Sequence, residues 1–250
     1  MSVVIEREEY VGVITLDRPP ANAFDVEQTA RFASAVADLG DDAEVRCLLI
    51  RGAGPHFCGG ADIAMMNSWR DAPDRRARLT GFATGLQDAF AALAALPKPS
   101  VAAIDGAATG GGFELALACD FRITGMSARL GLPEVGLGLL PGAGGTQRLT
   151  QVAGPAVATR LVLGAELVDG REAERLGIVH WAVDRDVDAA ALRLAHRLAA
   201  LPPVAYGAAK RCIAAARGDD GYTVEIDEIG RLIETDETAR RLERFLAGTR

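Results

Sequence analysis

Thiols and imidazoles are sparse in this sequence and badly placed for metal or redox chemistry. The four cysteines, Cys47, Cys58, Cys119 and Cys212, form no C-x-x-C pair, and the three histidines, His56, His180 and His196, fall at no metal-ligand spacing. A disulfide framework and a zinc hydrolase both lose their signature, and neither a metal nor another cofactor is expected. Cys47 and Cys119 sit in apolar runs and read as buried thiols. The chain has no G-x-x-x-x-G-K-[ST], no G-x-G-x-x-G and no G-x-S-x-G. Nucleotide hydrolysis, dinucleotide binding and serine hydrolysis are weakened together. No apolar run approaches a membrane span, and the charged, alternating first ten residues lack the apolar core of a signal peptide. No membrane partner and a cytoplasmic location are therefore expected.

Positive charge is also in short supply. Lys and Arg total 27 against 34 Asp and Glu, a net charge of −7, which disfavours a nucleic-acid surface. The one basic cluster, Arg70, Arg75, Arg76 and Arg78, is diluted by Asp71 and Asp74. It reads first as a solvated segment and second as a patch facing a phosphate-bearing ligand. What the chain does have is apolar mass: 49% of its 250 residues are hydrophobic, enough for one large soluble domain or a domain with an appendage.

The sequence is organised around residues 104–120, an apolar strand feeding Gly110-Gly111-Gly112 and then a helix that is apolar on every side except at Glu114. Successive glycines let the backbone bend and let a ligand lie against peptide N–H groups. The first N–H groups of a helix have no intrahelical partner and stand at the positive end of its dipole, so they suit an oxygen that carries or gains negative charge. Gly111 and Glu114 are three apart and share one side of the helix, which aims a bare N–H and a carboxylate at one spot. Burial raises the pKa of that carboxylate and the helix terminus lowers it; the sequence leaves open which prevails.

Around this stretch the chain reads as alternating strands and helices. Segments 3–8 and 11–17 form a hairpin stopped by Arg18-Pro19-Pro20, and Asp25 caps a helix over 26–39. A buried strand over 45–50 leads to a second glycine bend, His56-Phe57-Cys58-Gly59-Gly60-Ala61-Asp62-Ile63, which by itself is no more than a turn. Residues 69–80 read as a polar loop, and Leu79, Phe82, Leu86, Phe90, Leu93 and Leu96 as one face of a long helix closed by Pro97-Lys98-Pro99. Strands over 101–104, 121–124 and 128–130 follow. Then comes an apolar glycine-rich loop with one acid, Glu134, either exposed on a turn or buried for a reason. Short helices near 146–152, 156–163 and 170–176 precede a strand over 178–183, and from 187 onward the pattern is helical. The overall class is α/β.

Taken together, Leu16-Asp17-Arg18-Pro19, residues 57–63, Gly110-Gly111-Gly112-Phe113-Glu114-Leu115-Ala116, Pro133-Glu134 and residues 141–149 resemble the crotonase (enoyl-CoA hydratase/isomerase) superfamily over almost the whole chain, most closely its enoyl-CoA hydratases. The resemblance implies an α/β spiral of ββα units over 1–186, a C-terminal helical oligomerisation region over 187–250, and homotrimers or hexamers made of two trimers. It implies an acyl-CoA thioester as ligand, its oxygen held by the backbone N–H groups of Ala61 and Gly111. Ala21, Ala61, Asp62, Ile63 and Gly111 become candidate CoA-ester contacts. Glu114 is implied to orient and activate water and Glu134 to exchange the proton at C2, together adding water syn across a trans-2-enoyl thioester. An isomerase, a specialised hydratase or lyase of the same family, or a non-catalytic CoA-ester binder are the alternatives.

Departures from the family pattern are also visible. Hydratases often carry Lys where this chain has Pro20, ahead of Ala21, and Ala64, and often end on a longer lysine-bearing tail than Phe245-Leu246-Ala247-Gly248-Thr249-Arg250. Phosphate contacts would then fall to Arg18 or to Arg75, Arg76 and Arg78. Met65, Met66, Trp69 and Phe82 are candidates for the acyl-pocket wall or for ordinary core packing.

Overall fold

A computed structural model describes residues 2–216 and 218–248. Its main sheet has six strands in the order β1 (Val3–Glu8), β2 (Val11–Leu16), β3 (Cys47–Gly52), β4 (Ser100–Ile104), β6 (Phe121–Gly125) and β9 (Trp181–Val183). Only the β1–β2 hairpin is antiparallel; each later pairing is parallel. A second sheet joins β5 (Ala107–Thr109), β7 (Arg129–Gly131) and β8 (Val168–Asp169).

The inner strands are apolar on both faces, as a covered parallel sheet requires. Ile14, Leu16, Leu48, Ile50, Ala102 and Ile104 join the main core, while the alternating Val11, Val13, Cys47, Leu49, Val101 and Ala103 face the other way. The main core is built with α1 (Val26–Asp41), α3 (Arg75–Ala95) and α4 (Gly111–Ala118). There Phe24, Phe32 and Phe90 meet edge to face at 5.7 to 6.0 Å. Asp25 caps α1 as expected, its Oδ1 accepting from the Gln28 N–H at 2.7 Å.

The winding repeats. β4 in the large sheet is followed by β5 in the small one and by α4; β6 is followed by β7 and by a 3-10 turn over Pro133–Leu137. The sequence reading runs the strand at 104 directly into the glycine run. The structure instead turns the chain at Asp105-Gly106, where Gly106 has φ +66° and a side chain would strike the Pro55 carbonyl, and inserts β5. Two more short elements were not read from the sequence: β8, and α2 (Ile63–Ser68), capped by Asp62. The polar loop is shorter than expected, because α3 starts at Arg75, steadied by Arg78 against Asp74 at 2.9 Å across its first turn. The break read between 152 and 156 is present as a kink in α5 (Gly145–Ala158) at Gly154, with φ +81°, ahead of Pro155.

The helical tail divides by what it touches. α7 (Val187–Ala199) covers the far face of the large sheet through Val187, Ala191, Leu194, Ala195 and Leu198. α8 (Pro203–Ala215) is fastened by Lys210, whose Nζ lies 2.8 Å from Asp120. α9 (Gly221–Ile233) is fastened to α8 by Arg211, which forks onto Glu228 at 2.8 and 2.9 Å, and α10 (Asp236–Leu246) follows. Among the described residues no helix is long and apolar enough to cross a membrane.

Candidate active site

Three neighbouring strand ends assemble the site. Thr109 and Gly131, the last residues of β5 and β7, are partners across a parallel ladder, and the Gly110 N–H donates to the Gly131 carbonyl at 3.0 Å. The segment that carries Glu134 therefore leaves beside the glycine run. On the other side of β5, Cys58 bridges Ala108, and the Cys58 N–H donates to the Ala107 carbonyl and the Thr109 N–H to the Cys58 carbonyl at 3.0 and 3.1 Å. That pairing brings Gly60-Ala61 against Gly110-Gly111. Gly112 fits only because it has no side chain: a Cβ there would run into the Cys58 carbonyl.

Ala61 and Gly111 both line one cavity, and among the described residues neither amide N–H has a hydrogen-bond acceptor. The Phe24 N–H donates to the Gly60 carbonyl and the Asp62 N–H to the Phe24 carbonyl, both at 2.7 Å. Ala61 lies between them, so its own N–H projects away from that pairing. Gly111 is the first residue of α4, where no helical carbonyl is available to its N–H. A Cβ placed on Gly111 would stand 3.6 Å from the Ala61 nitrogen, so the two glycine bends pass within contact distance of one another at these residues.

Glu114, in the first turn of α4, is 2% exposed. Its Oε1 accepts the N–H groups of Ala143 at 2.8 Å and Gly145 at 2.7 Å, leaving Oε2 uncommitted among the described residues. Burial pushes its pKa upward, against the pull of these two amides and of the Arg148 charge. The contest left open by the sequence is thus won by desolvation, in part. Gly145 must be glycine here, since a Cβ would lie 2.9 Å from both Cγ and Oε1 of Glu114.

Glu134, in the 3-10 turn, is half-buried, and its Oε2 is shielded from solvent with no hydrogen-bond partner among the described residues. A Cβ on Gly110 would sit 3.2 Å from its Oε1, so the glycine run leaves room for this second acid as well. Burial first, with a smaller push from the Glu114 charge, raises its pKa to about 7. The structure falls between the two readings of this acid: it stands on a turn and is half-buried, with one carboxyl oxygen out of solvent.

Both carboxyl groups line a cavity of about 470 Å³ together with Ala61 and Gly111. Its remaining walls are mostly apolar, with Met66, Leu79, Phe82, Leu86, Leu137 and Leu140 prominent. The four wall candidates therefore separate. Met66 and Phe82 reach the cavity, while Met65 and Trp69 pack on the core, Trp69 edge-on to Phe82 at 6.2 Å. Ile63 is 52% exposed at the cavity's edge, and Ala21 backs the loop by accepting from the Gly59 N–H at 2.7 Å.

Asp62 and Arg18 have structural partners. Asp62 caps α2 through the Met65 N–H and takes the Arg18 guanidinium at 2.7 Å, and Arg18 also reaches Asp25 at 3.0 Å. These pairs hold the Asp62 carboxyl below its usual range and raise Arg18. Arg18 thereby ties the 18–25 loop to the residue after Ala61. Of the other phosphate-contact candidates, Arg75 donates to the Arg70 carbonyl and Arg78 pairs with Asp74. The tail reading falls partly on Thr249 and Arg250, which lie outside the described residues. The described residues include no cluster of three or more His, Cys, Asp or Glu arranged to hold a metal ion.

The donors to Glu114 were not foreseen. The glycine-rich run 141–145 was visible, but amide hydrogens are common to every residue and only the fold shows which ones converge.

A family model described as enoyl-CoA hydratase/isomerase matches residues 6–246. A protein named crotonyl-CoA hydratase from Syntrophomonas wolfei is 40% identical over 184 residues, 73% of this chain and 69% of that one. The short-chain-enoyl-CoA hydratase of Clostridium acetobutylicum is 33% identical over 253 residues, 98% of this chain and 94% of its own. Among solved structures, an enoyl-CoA hydratase subunit from Geobacillus kaustophilus is similar with a TM-score of 0.92 at 34% identity, covering 100% of this chain and 96% of that chain. With the sheet winding and the paired glycine bends already in place, these matches mean that the chain belongs to the enoyl-CoA hydratase/isomerase family, the crotonase superfamily, and has its fold.

Proposed function

We propose that the chain hydrates 2-enoyl-CoA thioesters to 3-hydroxyacyl-CoA. The observation that carries this reading is a pair of differently solvated acids, Glu114 and Glu134, lining one cavity with Ala61 and Gly111, whose amides have no acceptor among the described residues. A thioester oxygen placed between the two amides gains negative charge as a nucleophile adds at C3. Each preorganised donor of this kind is worth about 3–4 kcal/mol in other oxyanion holes.

The acids then divide the proton work. Glu114, supplied with two N–H donors, acts as the carboxylate that takes a proton from water as its oxygen bonds to C3. The C2=C3 π pair moves onto the thioester as an enolate, returns to C2, and takes the proton of Glu134 there. Glu134, raised to about 7 with an Oε2 that has no partner among the described residues, is suited to hold that proton near neutral pH. Water is added in full, and exchange with solvent returns the two acids to their starting states. The apolar walls at Met66, Leu79, Phe82 and Leu86 suit an aliphatic tail.

A panel of enoyl-CoA thioesters of graded length and branching, with product mass and chirality as the readout, tests the reading. A product heavier by one water supports it. A product of unchanged mass from a shifted double bond, or no turnover across the panel, defeats it.

We further propose that 187–250 is the oligomerisation region. The sheet already occupies α7, so the surface left for a second copy is on α8 to α10, where Ile213, Tyr222, Ile226, Ile229 and Phe245 are exposed. Light scattering of the full chain should give a trimer or hexamer mass; a monomer rejects it.

A further inference from the structure

The run Gly142-Ala143-Gly144-Gly145-Thr146-Gln147-Arg148 supplies Glu114 with its two amide donors, and its last residue reaches back to the first part of that loop. Arg148 lies in the first turn of α5, and its Nη1 donates to the Ala143 carbonyl at 2.8 Å. One residue thus makes both contacts, one on either side of its Cα: its carbonyl accepts from the guanidinium, and its N–H donates to Glu114 Oε1 at 2.8 Å. Gly144 makes the return possible. It has φ +101°, and a side chain on it would collide with the Arg148 guanidinium.

The charged surroundings of Glu114 are few. Glu134 faces it from the 3-10 turn, and Arg148 acts on it from α5. α3 contributes Leu79, Thr80, Phe82, Ala83 and Leu86 to the cavity wall, and the 59–63 bend contributes Gly59, Ala61 and Ile63. Arg122 is occupied at the other end of α4, donating to the carbonyls of Ala116 and Cys119. A carboxylate that is 2% exposed and faces a second acid needs compensation to stay charged. Two amides supply part of it.

We propose that Arg148 is a positioning residue for Glu114: its guanidinium fixes the Ala143 carbonyl, so that the amides of Ala143 and Gly145 meet the carboxylate, and sets a positive charge beside it. The consequence is that Glu114 gives up its proton before Glu134 does, which is the division of labour that the hydratase reading rests on. Arg148 touches no reacting atom. Its effect reaches the reaction through Glu114.

The test is a carboxyl titration of the full chain labelled with carbon-13 at glutamate, with the two signals assigned from the Glu114→Gln and Glu134→Gln spectra. In the unaltered protein Glu114 is expected to titrate below Glu134. In Arg148→Gln, which keeps an amide donor for the Ala143 carbonyl but carries no charge, the Glu114 midpoint should rise by about one pH unit. Arg148→Lys should restore most of that shift. With crotonyl-CoA the acid limb of kcat/KM should move by the same amount in Arg148→Gln, with kcat near neutral pH about tenfold lower and KM little changed. An unmoved Glu114 midpoint in Arg148→Gln overturns the proposal, and so does a Glu114 midpoint above that of Glu134 in the unaltered protein. Should the titrations behave as described while no enoyl-CoA is hydrated, the role of Arg148 stands and the hydratase reading falls.

Discussion

Glu114 and Glu134 share a cavity but are solvated by the protein in opposite ways: one receives two backbone amides on Oε1, the other buries an oxygen that has no hydrogen-bond partner among the described residues. Hydrogen bonds to a carboxylate favour its charged form, and burial without them favours the acid. Burial raises the pKa of both, but only Glu114 has amides that oppose the rise; on the hydratase reading this difference is what makes one the base and the other the acid, since the two side chains are chemically the same.

Replacing either acid with its amide should stop turnover without emptying the cavity. Glu114→Gln and Glu134→Gln are each expected to lower kcat on crotonyl-CoA by about 10²–10⁴-fold, the usual worth of a positioned acid or base. Affinity for a saturated acyl-CoA, measured by calorimetry, should change by no more than about threefold, because the amides of Ala61 and Gly111 and the apolar walls remain. Loss of ligand binding along with turnover would make the residue a structural one.

The rate should also report the acid through pH. If Glu134 must enter the cycle protonated, kcat/KM falls as pH rises through about 7, where its proton leaves. The limb belongs to the coupled pair, since the Glu114 charge is one of the causes of the shift. A profile that is flat from about pH 6 to pH 9 would remove Glu134 from the role of proton donor.

The same raised pKa has a stability consequence of definite sign. Unfolded Glu134 ionises near its ordinary value, while the folded residue holds its proton up to about 7. Between these limits the native state binds more protons than the unfolded chain, so stability falls as pH rises through that window and the penalty is complete above it. Glu134→Gln cannot ionise. Its melting temperature relative to the unaltered protein should therefore climb from about pH 4 to about pH 8. A constant difference over that range would contradict the burial argument.

What was legible in the sequence was local chemistry. Asp25 before an apolar periodicity, the break ahead of Pro155, and the glycine bends at 59–60 and 110–112 all announce themselves within a few residues, and all are present. The elements not read depend on distant partners. β5 has three residues, too few for any period, and exists because Cys58 and β7 flank it. Arg18 looked available for a phosphate, but the chain returns Asp62 to it from 44 positions away. The donors to Glu114 come from 29 and 31 positions downstream, through backbone atoms that leave no mark on residue type.

Adjacent glycines at the start of α4 allow fold and chemistry to be separated. Gly111 has helical geometry and room for a methyl group, which would lie at ordinary contact distance, 3.6 Å, from the Ala61 nitrogen. Gly111→Ala should therefore fold with an unchanged melting temperature, yet place its methyl in the gap that the thioester oxygen needs. Loss of that oxyanion contact is expected to lower kcat/KM by about 10²–10³-fold. Gly112→Ala meets the Cys58 carbonyl instead, a backbone atom held in the bridge to β5 that cannot step aside, so it should lower the melting temperature sharply. Full activity in a well-folded Gly111→Ala protein would show that substrate oxygen does not sit between these two amides. The acids would then have no enolate to serve.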